Sequence, residues 1–196
     1  MKKTIKEKNI KVYNEDIKKL GRYEYTGLDM YSAVTAGKKQ SEEILKSIRS
    51  QKLKKPLLIL DVGSGDGTYT FELLEKLNPK KIIGFDFAKA GVEIANKRIK
   101  KKDAKKIKFI TSSIYTVDKK IRNKFDVAVV RGVLHHLYNP ERGISTICKL
   151  ADVIVVAEPN GYSPFMKIME KISPYHRLHE EKSYWPPTLN SWFEKN

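Results

Sequence analysis

The chain's 196 residues fit one domain with its own core, and a hydrophobic content of 40% suits a soluble globular protein. No apolar run nears the length of a membrane span, residues 1–8 carry charge without an apolar core, and Cys148 is the only cysteine; no span, secretory signal or internal disulfide is expected, and a cytoplasmic setting is. The formal net charge of +16 favours approach to nucleic acid or an anionic membrane, but the lysines are dispersed and far outnumber the arginines, so a solvated surface is expected and a nucleic-acid partner is not favoured.

Residues 1–37 precede any strand signal and are polar and rich in tyrosine, with Tyr13, Tyr23, Tyr25 and Tyr31. Residues 41–49 read as a helix with Ser41 as N-cap and Ile44, Leu45 and Ile48 on one face. Residues 1–50 are thus expected to form an N-terminal helical cap over a site rather than part of a sheet. A basic linker, 50–56, leads to a strand at 57–61. Helix 68–77, strand 81–86, helix 88–102, strand 106–111, strand 125–130, helix 141–150 and strand 152–158 follow. This alternation predicts an α/β fold: a doubly wound, mostly parallel sheet over 51–158 with helices on both faces. Residues 159–196 carry five prolines and seven aromatics and predict loop and helix. The apolar run Val153 to Ala157 predicts a fifth strand buried on both faces.

Leu57-Leu58-Ile59-Leu60-Asp61-Val62-Gly63-Ser64-Gly65-Asp66-Gly67-Thr68 is the densest signal in the chain. An apolar strand ends in a carboxylate, and glycines follow at alternate positions before a helix. A second strand, Lys81-Ile82-Ile83-Gly84-Phe85-Asp86, ends in another acid 19 residues after Gly67. A dinucleotide fingerprint, G-x-G-x-x-G, requires glycine where this chain has Thr68, and Asp61 and Asp66 would repel a pyrophosphate. They suit a ligand with an ammonium group and no phosphate. The stretch LDVGSGDG resembles the first motif of the class I S-adenosylmethionine-dependent methyltransferases.

That resemblance, which covers about residues 38–158, implies S-adenosyl-L-methionine as cofactor. It sets Asp61 and the turn Gly63, Ser64, Gly65, Asp66 and Gly67 against the methionine moiety, Asp86 on the ribose hydroxyls and Phe87 on adenine. It sets the loop Ser112, Ser113 and Ile114 at the adenine amino group, where this chain lacks the acid the family commonly has. Arg131-Gly132-Val133-Leu134-His135-His136-Leu137 resembles the segment that passes beneath the sulfonium in small-molecule methyltransferases, so Arg131 and Gly132 join the cofactor set. His135 and His136 are the candidate general bases, with pocket shaping as the alternative. No metal is expected, because adjacent side chains point apart in helix or strand and no carboxylate or cysteine cluster is near in sequence. Glu158-Pro159-Asn160-Gly161 should border the acceptor, and 176–181 reads either as a substrate lid or as a solvated helix. The absence of an NPPY-type turn argues against methylation of base nitrogens.

The family's sheet normally ends in an antiparallel hairpin, for which no strand signal remains; the hairpin is expected to follow Asn196 in a longer parent protein, leaving 159–196 as a truncated segment bordering the acceptor site. The fifth strand is therefore expected at an open edge, covered by the C-terminal segment or by a second copy in a homodimer. The expected function is methyl transfer to a small-molecule or lipid-like acceptor, with RNA or protein as the alternative acceptor and a non-catalytic cofactor-binding protein as the second alternative.

Overall fold

A computed structural model describes residues 5–23 and 31–196, with side chains from residues 10–23 and 34–196. Tyr25 and residues 1–4 lie outside the described residues, as does the side chain of Tyr31. Five parallel strands form one sheet: β1 (Leu58–Val62), β2 (Lys81–Asp86), β3 (Ile107–Thr111), β4 (Phe125–Arg131) and β5 (Ala151–Ala157), in the order β3-β2-β1-β4-β5. β1 is central, so its side chains are buried on both faces, as its apolar run demands. The chain reverses direction across the sheet between β1 and β4. Ligands of open α/β sheets bind at such a switch point, outside the carboxyl ends of the strands.

The two faces have separate cores. One face carries Ile59, Ile82, Val127 and Val129 against α2 (Tyr31–Ser50), α3 (Thr68–Leu77) and α4 (Lys89–Lys97). The other carries Leu60, Val62, Phe85 and Val130 against α5 (Pro140–Cys148), with Leu189, Trp192 and Phe193 of α8 (Pro186–Glu194) packed on it. A third cluster lies apart from the sheet. There α1 (Ile5–Leu20) sets Tyr13 and Ile17 with Tyr23 on Ala88, Ala90 and Phe87 at the start of α4.

Ser41 is not an N-cap. It lies inside α2, which begins ten residues earlier, at Tyr31. The preceding stretch has no apolar period, and tertiary contact keeps it helical: the Arg131 guanidinium donates to Gly37 O at 2.8 Å and Ser41 Oγ at 2.7 Å. Because Ile44, Leu45 and Ile48 lie in the sheet core, the second half of α2 belongs with the sheet, whereas its first half, through Gly37 and Gln40, borders the larger cavity and α1 packs on the start of α4. Helix α4 stops at Lys97, short of the expected 102. Arg98 there turns its guanidinium back to Asp66 O and Thr68 Oγ1, both at 2.9 Å.

Among the described residues no strand follows β5. The segment after it folds into α6 (Pro164–Ile172), α7 (Pro174–His179) and α8, each opened by a proline at its first turn. β5 is therefore an edge with β4 as its only strand neighbour. Its outer residues are half-buried rather than sealed on both faces, which corrects the reading of its apolar run. A groove of about 620 Å³ separates this edge from α8.

Candidate active site

The ends of β1, β2 and β4 bring three charged side chains to one place. β1 delivers Asp61, whose Oδ2 accepts from Thr70 Oγ1 of α3 at 2.5 Å. β2 delivers Asp86. Its Oδ2 accepts from the Gly65 N–H at 2.9 Å, and its Oδ1 accepts from the Ala88 N–H at 2.7 Å and the Tyr23 hydroxyl at 3.2 Å. Burial pushes both carboxyls up to about 6, against the hydrogen bonds that favour their ionised forms. Arg131, at the end of β4, opposes that rise at Asp61.

The turn between β1 and α3 needs its glycines for two reasons. Gly63 and Gly65 sit at φ +70° and +55°, where side chains are strained. A Cβ on Gly63 would also collide with Val133, and one on Gly65 would lie 2.8 Å from the Tyr23 ring. The turn is fastened to β2, with Gly63 and Ser64 N–H both donating to Phe85 O. Gly67 opens α3 in the left-handed conformation. Ser64 Oγ is buried with no hydrogen-bond partner.

Two cavities flank this turn. The larger, about 390 Å³, gathers Asp61, Gly63, Ser64, Gly65, Asp66, Arg131, Gly132, His135 and His136. The smaller, about 60 Å³ and almost wholly apolar, gathers Asp86, Phe87, Ser112, Ser113 and Ile114. Gly63 and His136 line both. The structure thus brings the sequence-derived set together, Gly67 excepted, and sorts it into two compartments.

Several of these residues act differently from expectation. Asp66 lines the larger cavity, but its oxygens accept from the Thr68 and Tyr23 N–H groups and face Arg98 at 3.5 Å; it ties α3 to its surroundings. Arg131 is held by α2 and stacks 3.4 Å above the Tyr69 ring. Ser113 Oγ accepts from the Tyr115 N–H, so it shapes its own loop. Glu158 has a structural role among the described residues. Its side chain turns back beneath the one-turn 3₁₀ helix Leu134–His136 and accepts from the N–H groups of Val133, Leu134 and His135 at 2.7, 2.8 and 3.3 Å. Its neighbours Pro159 and Asn160 line the groove beside α8.

Glu158 also receives His135 Nδ1 at 2.6 Å, which leaves Nε2 of that ring as the lone-pair nitrogen. The premise that adjacent histidines point apart fails here: on the 3₁₀ turn the His135 and His136 ring centroids lie 3.8 Å apart. No carboxylate is near in sequence, but the fold brings one near in space: Glu181 arrives from beyond α7. His136 meets the Tyr13 hydroxyl at 2.9 Å through Nδ1. Burial, with the neighbouring His135, His179 and His176, holds His136 well below the ordinary histidine range, so it is neutral at neutral pH. α7 is no solvated helix: His179 is buried, with Nε2 3.1 Å from Asp16 Oδ2 of α1.

Tyr23, Gln40, Tyr69, Tyr175 and Glu181 also line the larger cavity; Glu181 falls in the segment read as a lid or a solvated helix and Tyr23 in the expected cap, and the other three carry no sequence signal for the site. The tyrosine richness of the N-terminal segment was the one available signal for Tyr23.

A family model described as a methyltransferase domain matches residues 53–195. Over 75 residues the chain is 35% identical to demethylmenaquinone methyltransferase of Lactococcus lactis, covering 38% of this chain and 29% of the relative. Over 103 residues it is 30% identical to tRNA U34 carboxymethyltransferase of Helicobacter pylori, covering 51% and 38%. The chain thus spans well under half the length of these two relatives. Among solved structures, magnesium protoporphyrin IX methyltransferase of Synechocystis with bound SAH superposes with a TM-score of 0.72 at 14% identity, covering 94% of this chain and 87% of that one. The chain belongs to the class I, Rossmann-like S-adenosylmethionine-dependent methyltransferases.

Proposed function

We propose that the protein transfers a methyl group from S-adenosyl-L-methionine to a small-molecule acceptor. The residues present suit this cofactor. The glycine turn is compact, a strand-end carboxylate suits two ribose hydroxyls, and a narrow apolar slot lies beside it for a purine. The bound cofactor supplies an electrophilic methyl on a sulfonium with a good leaving group. The chain's own contribution is then positioning and exclusion of water. Asp61 offers a buried negative charge to the amino-acid end, and His135 and His136 turn ring atoms toward the larger cavity, where they orient the acceptor.

The observation that favours a small acceptor is the chemistry of that cavity. Among the described residues lining it, Arg131 is the only Lys or Arg, and its guanidinium is taken by Gly37, Ser41 and Tyr69. Asp61, Asp66 and Glu181 add acid. Such a wall repels phosphate, whereas a nucleic-acid groove concentrates free cations along the backbone. The alternative, an RNA acceptor, rests on the net charge of +16. Labelled S-adenosylmethionine incubated with the protein and a cell extract split into small molecules, RNA and protein decides between them. Label in the small-molecule fraction supports the reading, and label in RNA or protein overturns it. No label in any fraction, with cofactor binding intact, would favour a non-catalytic binding protein.

A further inference from the structure

We infer that His135, His136 and Glu181 form a binding site for one divalent first-row metal ion at the wall of the larger cavity. The three side chains each present a donor atom within 4.8 Å of the other two. Two imidazoles and one carboxylate are a ligand set for Zn²⁺ and related ions, and such a set leaves coordination positions open. All three residues line the larger cavity, so the open positions face it. Donors around a tetrahedral ion with bonds of about 2.1 Å stand roughly 3.4 Å apart. Binding therefore requires the donors to draw together, chiefly by movement of Glu181, because Glu158 holds the His135 ring.

The groups behind the ligands strengthen the assignment. A metal-binding histidine usually donates its second ring N–H to a carboxylate or carbonyl, which fixes its tautomer and raises its basicity. Glu158 does this for His135 at 2.6 Å, and the same carboxylate holds the backbone of the turn that carries both histidines. The Tyr13 hydroxyl lies against the His136 ring, 2.9 Å from Nδ1 and 3.3 Å from Nε2, so it must settle on Nδ1 when Nε2 takes the ion. His176 Nε2 stands 3.3 Å from Glu181 Oε2 and orients the third ligand. The His176 Nδ1 on the other side of that ring is buried without a partner. All four histidines of the chain therefore lie around this point or in contact with α1 beside it. A purely structural cluster would not need two adjacent imidazoles and a distant carboxylate to converge at the cavity surface.

The site is independent of which acceptor the enzyme uses. An ion held by these three residues would supply a Lewis acid at the cavity wall. The test is made on the untagged full chain after chelator treatment. Co²⁺ is titrated while its visible d–d absorption is recorded, and the imidazole NMR signals are followed in parallel. One saturable equivalent, with selective paramagnetic broadening of His135 and His136 ahead of His176 and His179, is expected. Zn²⁺ should displace the Co²⁺ and abolish the bands. Glu181→Gln should weaken binding by at least about 10–100-fold, the range seen even for groups behind the ligands, while keeping the parent circular dichroism and melting temperature. His136→Gln should do the same. No saturable equivalent on the parent protein overturns the site whatever the variants do. Parent-like affinity in folded Glu181→Gln also overturns it. Neither readout depends on methyl transfer, so this result and the acceptor experiment fail separately.

Discussion

Asp86 fastens the glycine turn: its oxygens take the Gly65 and Ala88 N–H groups and the Tyr23 hydroxyl. In the proposed reading the Tyr23 hydroxyl takes the place of a ribose hydroxyl. Asp86→Ala should weaken cofactor binding by about 1.5–3 kcal/mol, the scale of hydrogen bonds to a charged group; equal affinities by calorimetry would remove Asp86 from the ribose site. Tyr23→Phe removes the internal competitor and should tighten binding by about 1 kcal/mol. If it binds more weakly, Tyr23 is a cofactor contact rather than a placeholder. Affinity should also fall as pH drops through about 6, because Asp61 and Asp86 gain protons there and lose their charge. These strand-end acids were legible because the signal is local: an apolar run, an acid, then glycines. The partners of Tyr23, Glu158 and Glu181 were not. Tyr23 meets Asp86 across 63 positions, and Glu158 meets His135 across 23. No periodicity or spacing rule encodes a pairing that only the folded sheet creates.

At the scale of elements, the sequence carried most of the sheet. Helix α3 and strand β2 match their expected limits, and the other strands differ by about one residue at an end. Apolar runs bounded by turn residues suffice for buried parallel strands. The N-terminal helices were harder because their contacts outrank their pattern. The first half of α2 is polar, contains Gly37, and is held by Arg131 from the end of β4, a contact distant in sequence. α1 places Tyr13 and Ile17 on the start of α4 and reaches α7 through Asp16. A cut before α2 therefore separates two roles. A chain lacking residues 1–23 should keep its sheet, because Ile44, Leu45 and Ile48 remain. It should bind cofactor poorly, because Ala88, Ala90 and Phe87 lose their cover. Circular dichroism and calorimetry on that variant check both halves, and outright unfolding would place α1 in the core.

For the molecule as a whole, the site and the stability of the fold pull in opposite directions. Asp61 and Asp86 are both about 4% exposed, and each holds its proton up to about pH 6, against an ordinary value of 3.8. Below about pH 4 the folded and unfolded chains are both protonated at these groups, and neither acid affects stability. Between about 4 and 6 the unfolded chain has released protons that the folded chain retains, so stability falls as pH rises. Above 6 the folded protein carries two buried charges at a cost on the order of 2–3 kcal/mol each, taken as an upper bound. Asp61→Asn removes one of these charges and keeps an oxygen to accept from Thr70 Oγ1. At pH 7.5 this variant should be more stable than the parent by roughly 1–3 kcal/mol in urea unfolding, and it should bind cofactor weakly. The gap should shrink steadily as the pH is lowered to 4.5, because the parent's own carboxyl then takes up the proton. A gap that stays constant across that range would mean the carboxylate is compensated in the fold, and that its burial is not what opposes stability.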